Sequence, residues 1–296
     1  MPGFNSVRSL VDREVTTGST VYTGWRKVPS VVTSIGFWQD LSMAPGNPRP
    51  NYYASAPLIS TALAQSTDGG IYHGGAVSPS TKHLRKLTAL TVTAGAVPLP
   101  MMLCDYLLYY PFIDESIINE EQAMNPAVGS PVGLPRYTDG EGVRIMAVVV
   151  AGHTVGTGTF FTVNYTNQDG TAGRVTGRTQ LGGQFVNGTI ATSARATASC
   201  FAPFLPLQSG DTGVRSIEGV TFTGVPDVGL LTLVLVRPLA SFALRGIDAP
   251  IEVDFLRDRP SMPRVYDDAY LNFLALAAGS LSAANIMGDA QFTWSS

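Results

Sequence analysis

From Leu84 onward the chain is written in short apolar runs separated by Gly, Pro and Asp, and none of them carries the sustained three-to-four-residue spacing of a long helix. That pattern restricts the fold to strands. Thr88–Ala94 alternates, which places Leu90 and Val92 on one face and Ala89, Thr91 and Thr93 on the other. Met101–Ile113 and Val143–Ala151 are apolar almost throughout, as expected of strands buried on both faces. Phe161, Val163 and Tyr165 alternate with Thr162, Asn164 and Thr166. They lead through Asn167-Gln168-Asp169-Gly170 into Arg174–Leu181, a hairpin signal. Further strands are predicted at Gly188–Ala198, Val214–Thr223, Leu230–Val236, Ile251–Leu256, Tyr270–Leu276 and Ala290–Trp294, and one helix-like insertion at Asp114–Met124. The expected fold is all-β, a β-sandwich or jelly-roll-like domain with an extended, loop-rich N-terminal region.

That region spans residues 1–83, against a β-rich main domain at 84–296 that could comprise two packed sheets or subdomains. Ser6–Val15 carries Val7, Leu10 and Val11 at helical spacing, and Thr16–Ile35 is β-branched. Met43–Pro57 holds Pro45, Pro48, Pro50 and Pro57, a density that forbids helix and central strand and predicts an irregular surface course. Pro57–Ser66 reads as a short helix closed by Asp68-Gly69-Gly70. Trp38, Tyr52 and Tyr53 flank the proline-rich run and are the candidate interface residues, because aromatic side chains anchor subunit contacts. On this reading, removing residues 1–56 leaves a folded core and weakens assembly.

Charge narrows the function classes. Asp, Glu, Lys and Arg make up 14% of 296 residues, against about a quarter in ordinary soluble domains. Such a chain suits a surface covered by other subunits more than a freely diffusing enzyme. The net charge of −3 supplies no general basic field, so no direct nucleic-acid binding is expected. The apolar windows 98–113 and 229–236 are shorter than the roughly 20 residues of a membrane helix. The N-terminal sequence has no secretory-signal pattern, and Cys104 and Cys200, set among apolar neighbours, read as buried free thiols of a protein made in a reducing cytoplasm.

No catalytic, cofactor or metal residues emerge. His73, His83 and His153 stand apart, with no second ligand at metal spacing. Gly152–Gly158 lacks the Lys-Ser/Thr of a phosphate loop and precedes a strand. Asn167, Asp169 and Gly170 fit part of a calcium loop whose first and last positions, Tyr165 and Thr176, do not. The pairs Asp114-Glu115, Glu120-Glu121 and Asp267-Asp268 read as solvated loop acids.

Four stretches resemble structural proteins of tailed-bacteriophage heads: Asp105–Ser116, Leu134–Gly142, Leu205–Val220 and Asp267–Trp294 with its AYLNFLALAAGSL core. The resemblance spans roughly the last two thirds of the chain and carries no catalytic residues. It implies a non-enzymatic virion protein on the capsid surface, a decoration or cement subunit whose partners are the major capsid protein and further copies of itself, with a trimer favoured. A tail-tube or connector protein and a glycan-binding tail component are the alternatives.

Overall fold

The computed structural model describes residues 4, 6–126, 132–152, 158–181, 186–191, 203–259 and 261–295. Nine strands of seven or more residues build it: β1 (Thr20–Lys27), β2 (Thr81–Thr91), β3 (Leu99–Asp114), β4 (Arg144–Ala151), β5 (Thr159–Asn167), β6 (Val214–Gly224), β7 (Leu230–Leu244), β8 (Tyr270–Leu276) and β9 (Ile286–Ser295). They pair antiparallel in three sheets, which makes the fold all-β and sandwich-like. The first sheet runs Ile251–Asp254, β2, β9, β1, Gly46–Asn47; the second Trp38–Asp40, β8, β3, β7, β4; the third Arg174–Val175, β5, β6, Glu121–Ala123.

The second sheet is central, and this explains its long apolar runs. One end packs through Leu99, Met101, Leu103, Phe242 and Phe273 on the first sheet. The other end packs through Tyr110, Ile113, Ile145 and Leu233 on Phe161, Val163 and Phe222 of the third. Its opposite face, with Cys104, Tyr106, Met146, Val148 and Val234, lies under Trp38, Tyr53 and Leu63 from the N-terminal region. Side chains on both faces are therefore in core, and polar alternation has no place.

Position 83 falls inside β2, so the proposed division between arm and domain does not coincide with an element boundary. β1 pairs along its whole length with β9, from Thr20 opposite Thr293 to Lys27 opposite Ile286. On its other edge Arg26 and Lys27 meet Asn47 and Gly46. A Cβ on Gly46 would lie 2.0 Å from the Arg26 carbonyl oxygen, so this closing pair needs glycine. The proline-rich run does take the irregular course expected of it, but over a core that it helps to close.

Two local readings are corrected by backbone geometry. Asp114–Met124 is a turn followed by the edge strand Glu121–Ala123, because Asn119 takes a left-handed φ of 59° and Asp114 caps the turn at Ser116. At 57–66, Leu58 is left-handed with φ 59°, Thr61–Ala62 joins β3, and the helical turn is displaced to Gln65–Asp68. The alternation predicted for Thr88–Ala94 holds, with Ala89 and Thr91 buried and Leu90 and the 49% exposed Val92 on the other face, while a register shift opposite Gln291 and Phe292 places one extra residue between Leu84 and Lys86. Both sets of alternating side chains there are apolar enough to hide the choice of face. Ser6–Val15 is helical as predicted, Val7–Val11 continuing into a wider turn at Asp12–Thr16.

Candidate functional site

Of the three residues predicted as interface anchors, the structure buries two. Trp38 is 8% exposed and Tyr53 fully buried, both in the core over the outer face of the second sheet; Tyr52 is 57% exposed. The Tyr53 phenol belongs to a hydrogen-bonded knot centred on Asp40. That carboxylate accepts from the Tyr106 hydroxyl at 2.7 Å, from Ser42 N and Oγ at 2.8 and 2.7 Å, and from Tyr53 by a short bond. Burial raises the Asp40 carboxyl, and these hydroxyl and amide bonds oppose the rise. Nearby, Lys27 is buried and donates to the carbonyls of Ala44 and Pro48; burial lowers its ammonium to about 8. Gln39, Asp40, Met43, Tyr52 and Asn187 line a cavity of about 140 Å³ beside the knot. The Ser42, Tyr53 and Lys27 bonds fasten the N-terminal segment to itself, and the Tyr106 bond ties it to β3.

A second buried cluster has the composition of a catalytic group but not its geometry. The His73 ring donates from Nε2 to the Ala269 carbonyl at 2.9 Å, and its Nδ1 accepts from Lys82 Nζ at 3.0 Å. Lys82 also donates to the Gly75 carbonyl and lies 3.6 Å from Asp267. Both ring nitrogens are occupied and no hydroxyl or thiol is bonded to the imidazole, so the group fastens β2 to the turn before β8. Burial, then the Lys82 charge, lowers His73 to about 4. Its folded value lies below the unfolded one near 6.5, so the unfolded chain binds the extra proton. The stability held above pH 6.5 is expected to drain as pH falls toward 4, by up to about 3 kcal/mol. His73→Gln removes that slope. Urea titrations of both proteins between pH 7 and 4.5 measure it, and parallel curves would refute the assignment.

Other acids clamp or cap the backbone around them. Asp211 accepts from Arg174, Tyr165 and Asn167, and the Arg174 bond lowers it to about 2; the set clamps the hairpin of the third sheet. Asn167 Oδ1 accepts from the amides of Asp169 and Thr171, a turn cap in place of a cation ligand. Asp267 and Asp268 cap the amides of Val77, Ser78 and Ser66. Among the described residues no three His, Cys, Asp or Glu side chains are placed to hold a metal, and no helix is long and apolar enough to cross a membrane. Cys104 is a buried free thiol, raised by burial. His153, Cys200 and most of the glycine-rich 152–158 segment lie outside the described residues, as does most of the predicted 188–198 strand.

Sequence reasoning missed a cleft of about 450 Å³ between β7 and the segment leading to β8, lined by Tyr137, Arg237, Arg259, Arg264 and Tyr266. It was hidden because its three arginines come from two distant parts of the chain and never form a run. It shares Arg264 and Tyr266 with a neighbouring cleft of about 370 Å³ that reaches Lys82 and Arg136.

The chain matches no protein-family model and no curated protein. Among solved structures it is weakly similar to VP2 of infectious bursal disease virus. The crystal structure of the VP2 subviral particle is 9% identical, over 97% of this chain and 87% of that one, with a TM-score of 0.19. The Gt strain structure is 8% identical over 97% and 87%, with a TM-score of 0.18, and the Gx strain structure 10% identical over 97% and 86%, with a TM-score of 0.17. Superpositions this loose carry no argument, and the functional reading rests on the chain's own residues.

Proposed function

We propose that the chain is a non-enzymatic structural subunit of a virus particle, and specifically a decoration or cement protein that binds the capsid lattice and its own copies. The observation that carries this reading is where its apolar surface lies. Of sixteen large hydrophobic side chains exposed among the described residues, eight fall in the first 83 positions: Val7, Val11, Val15, Tyr22, Val32, Ile35, Tyr52 and Tyr72. Val7 and Val11 of the first helix and Val15 of the wider turn after it stand 60%, 49% and 78% exposed, and only Leu10 of the helix is buried. Scattered exposed apolar residues are ordinary, but a row on one short helical segment of a sparingly charged chain suits a subunit contact. Tyr52 is the part of the predicted aromatic anchor set that remains available to a partner.

The physics of such a role is additive. A protein clamped across capsomer seams adds buried surface, at roughly 25 cal/mol per Å² of apolar area, that must be exposed before the shell opens. A specific contact needs about 1,200–2,000 Å², and repetition over a lattice multiplies a weak one. Val7→Asp/Val11→Asp/Val15→Asp is expected to keep the melting temperature within a few degrees while abolishing self-association in light scattering and attachment to shells. Unchanged attachment would place the contact elsewhere. Immunogold labelling of purified particles is expected on the head; label on the tail alone would reject the decoration role, and hydrolysis of host polysaccharide by the isolated chain would reject the non-enzymatic one.

A further inference from the structure

The geometry points to a binding site for a compact phosphate-bearing polyanion in the cleft formed by Arg237, Arg259 and Arg264. No carboxylate lines it among the described residues. Four arginines elsewhere are held in ion pairs, Arg85 with Asp254, Arg136 with Asp105, Arg174 with Asp211 and Arg257 with Asp258. Arg237 and Arg264 make no ion pair among the described residues, and Arg259 has only the adjacent Asp258, itself paired with Arg257, so the cleft gathers positive charge that an anion would relieve.

The guanidinium groups are also held in place. Arg237 lies on β7 beside Pro238, where the pairing with β3 shifts register between Pro238 and Ala240. Such irregularities recur where a strand re-aims a side chain. Its Nη1 donates to the Glu141 carbonyl and its guanidinium lies 5.5 Å from the centre of the Tyr137 ring. A Cβ at Gly142, whose φ is 66°, would sit 1.4 Å from Arg237 Nη1, so glycine there makes room for the guanidinium. Arg264 stacks 4.0 Å over Tyr266, and Arg259 donates to the Ser241 carbonyl at 2.6 Å. The two tyrosine rings meet edge-on at 4.7 Å, and the buried Tyr137 hydroxyl has no partner in the protein among the described residues. The cleft thus offers pre-oriented forks of donors and a spare phenol.

Guanidinium forks match phosphate oxygens two at a time, and a group with three acceptor oxygens can engage more than one fork. The volume suits a small molecule. The arginines lie over the tyrosine rings, so stacking there serves to hold cations and not a base or a sugar. A long nucleic acid is disfavoured, because contact with many phosphates needs an extended basic track and the net charge of the chain is −3.

Isothermal titration of the full chain with pyrophosphate, tripolyphosphate, citrate and a single-stranded oligonucleotide at low ionic strength tests this, with melting temperature as a second readout. Saturable one-to-one binding of tripolyphosphate, with a rise in melting temperature, is expected. Arg264→Ala should weaken it at least tenfold, and Arg264→Lys should recover only part, since the charge returns without the fork. Arg264 is exposed, so neither change threatens the fold. Arg237→Ala should act in the same direction. Arg178→Ala, which removes a cation stacked on Phe160 in the third sheet, should leave binding unchanged. No saturable binding, an equal loss in Arg178→Ala, or tighter binding of citrate or the oligonucleotide would each overturn the assignment.

Discussion

Arg136→Met is expected to destabilise the fold by about 3–5 kcal/mol at pH 8, the cost of stranding one partner of a buried ion pair. The guanidinium donates to both Asp105 oxygens, at 3.0 and 2.7 Å, and to the carbonyls of Tyr106, Leu63 and Asp268. It therefore joins β3, the N-terminal segment and the turn before β8 at one point. Asp105 is fully buried, and burial holds its carboxyl up to about 6 even against the opposing Arg136 charge. Without that charge the carboxyl rises further. A raised carboxyl keeps its proton in the folded chain where the unfolded chain has lost it, so stability falls as pH climbs from about 4 through the folded value. The deficit of the variant should accordingly shrink between pH 8 and pH 5. Asp105→Asn/Arg136→Met, which removes the stranded charge, should recover part of the loss. Urea unfolding at both pH values decides it: a deficit below about 1 kcal/mol at pH 8, or one indifferent to pH, would mean that the pair is solvated.

How much of this was legible in the sequence depends on what each segment packs against. Tyr270–Leu276 and Arg144–Ala151 were readable almost to the residue, because a strand buried on both faces is apolar at nearly every position. Leu230–Val236 was read too short. Pro238 marks a stop in a regular strand, but a register shift beside it lets β7 continue to Leu244. Trp38 and Tyr53 were legible as anchors, though not as anchors of the chain's own core, since an aromatic residue in an irregular segment carries the same signature whether it packs within a chain or between chains. The Asp40 knot and the arginine cleft were not legible. Each gathers side chains from separated positions, Asp40 with Tyr106 and Arg237 with Arg264, and only the pairing of sheets brings them together.

Deleting residues 1–56 should leave no folded protein, contrary to what the proline-rich composition of that stretch suggests. The deletion removes both β1, which pairs with β9, and the Gly46–Asn47 strand beyond it, and with them Trp25, Leu41 and Tyr53, each 3% exposed or less. Burying a side chain of this size is worth about 1.5–3 kcal/mol. Three such losses, with the Lys27 and Asp40 hydrogen bonds and the lid over Cys104, Tyr106 and Met146, approach the whole net stability of about 5–15 kcal/mol of a typical domain. The deletion also turns β9 into a bare edge ready to pair with other chains, so aggregation is the expected outcome. Removing residues 1–17 is a different experiment. The helix at Val7–Val11 buries Leu10 alone, and its loss should lower the melting temperature by a few degrees while suppressing assembly. Circular dichroism and light scattering of both truncations separate the two roles. A soluble, cooperatively melting 57–296 fragment would show that the N-terminal region is an arm after all, docked on a core that stands without it.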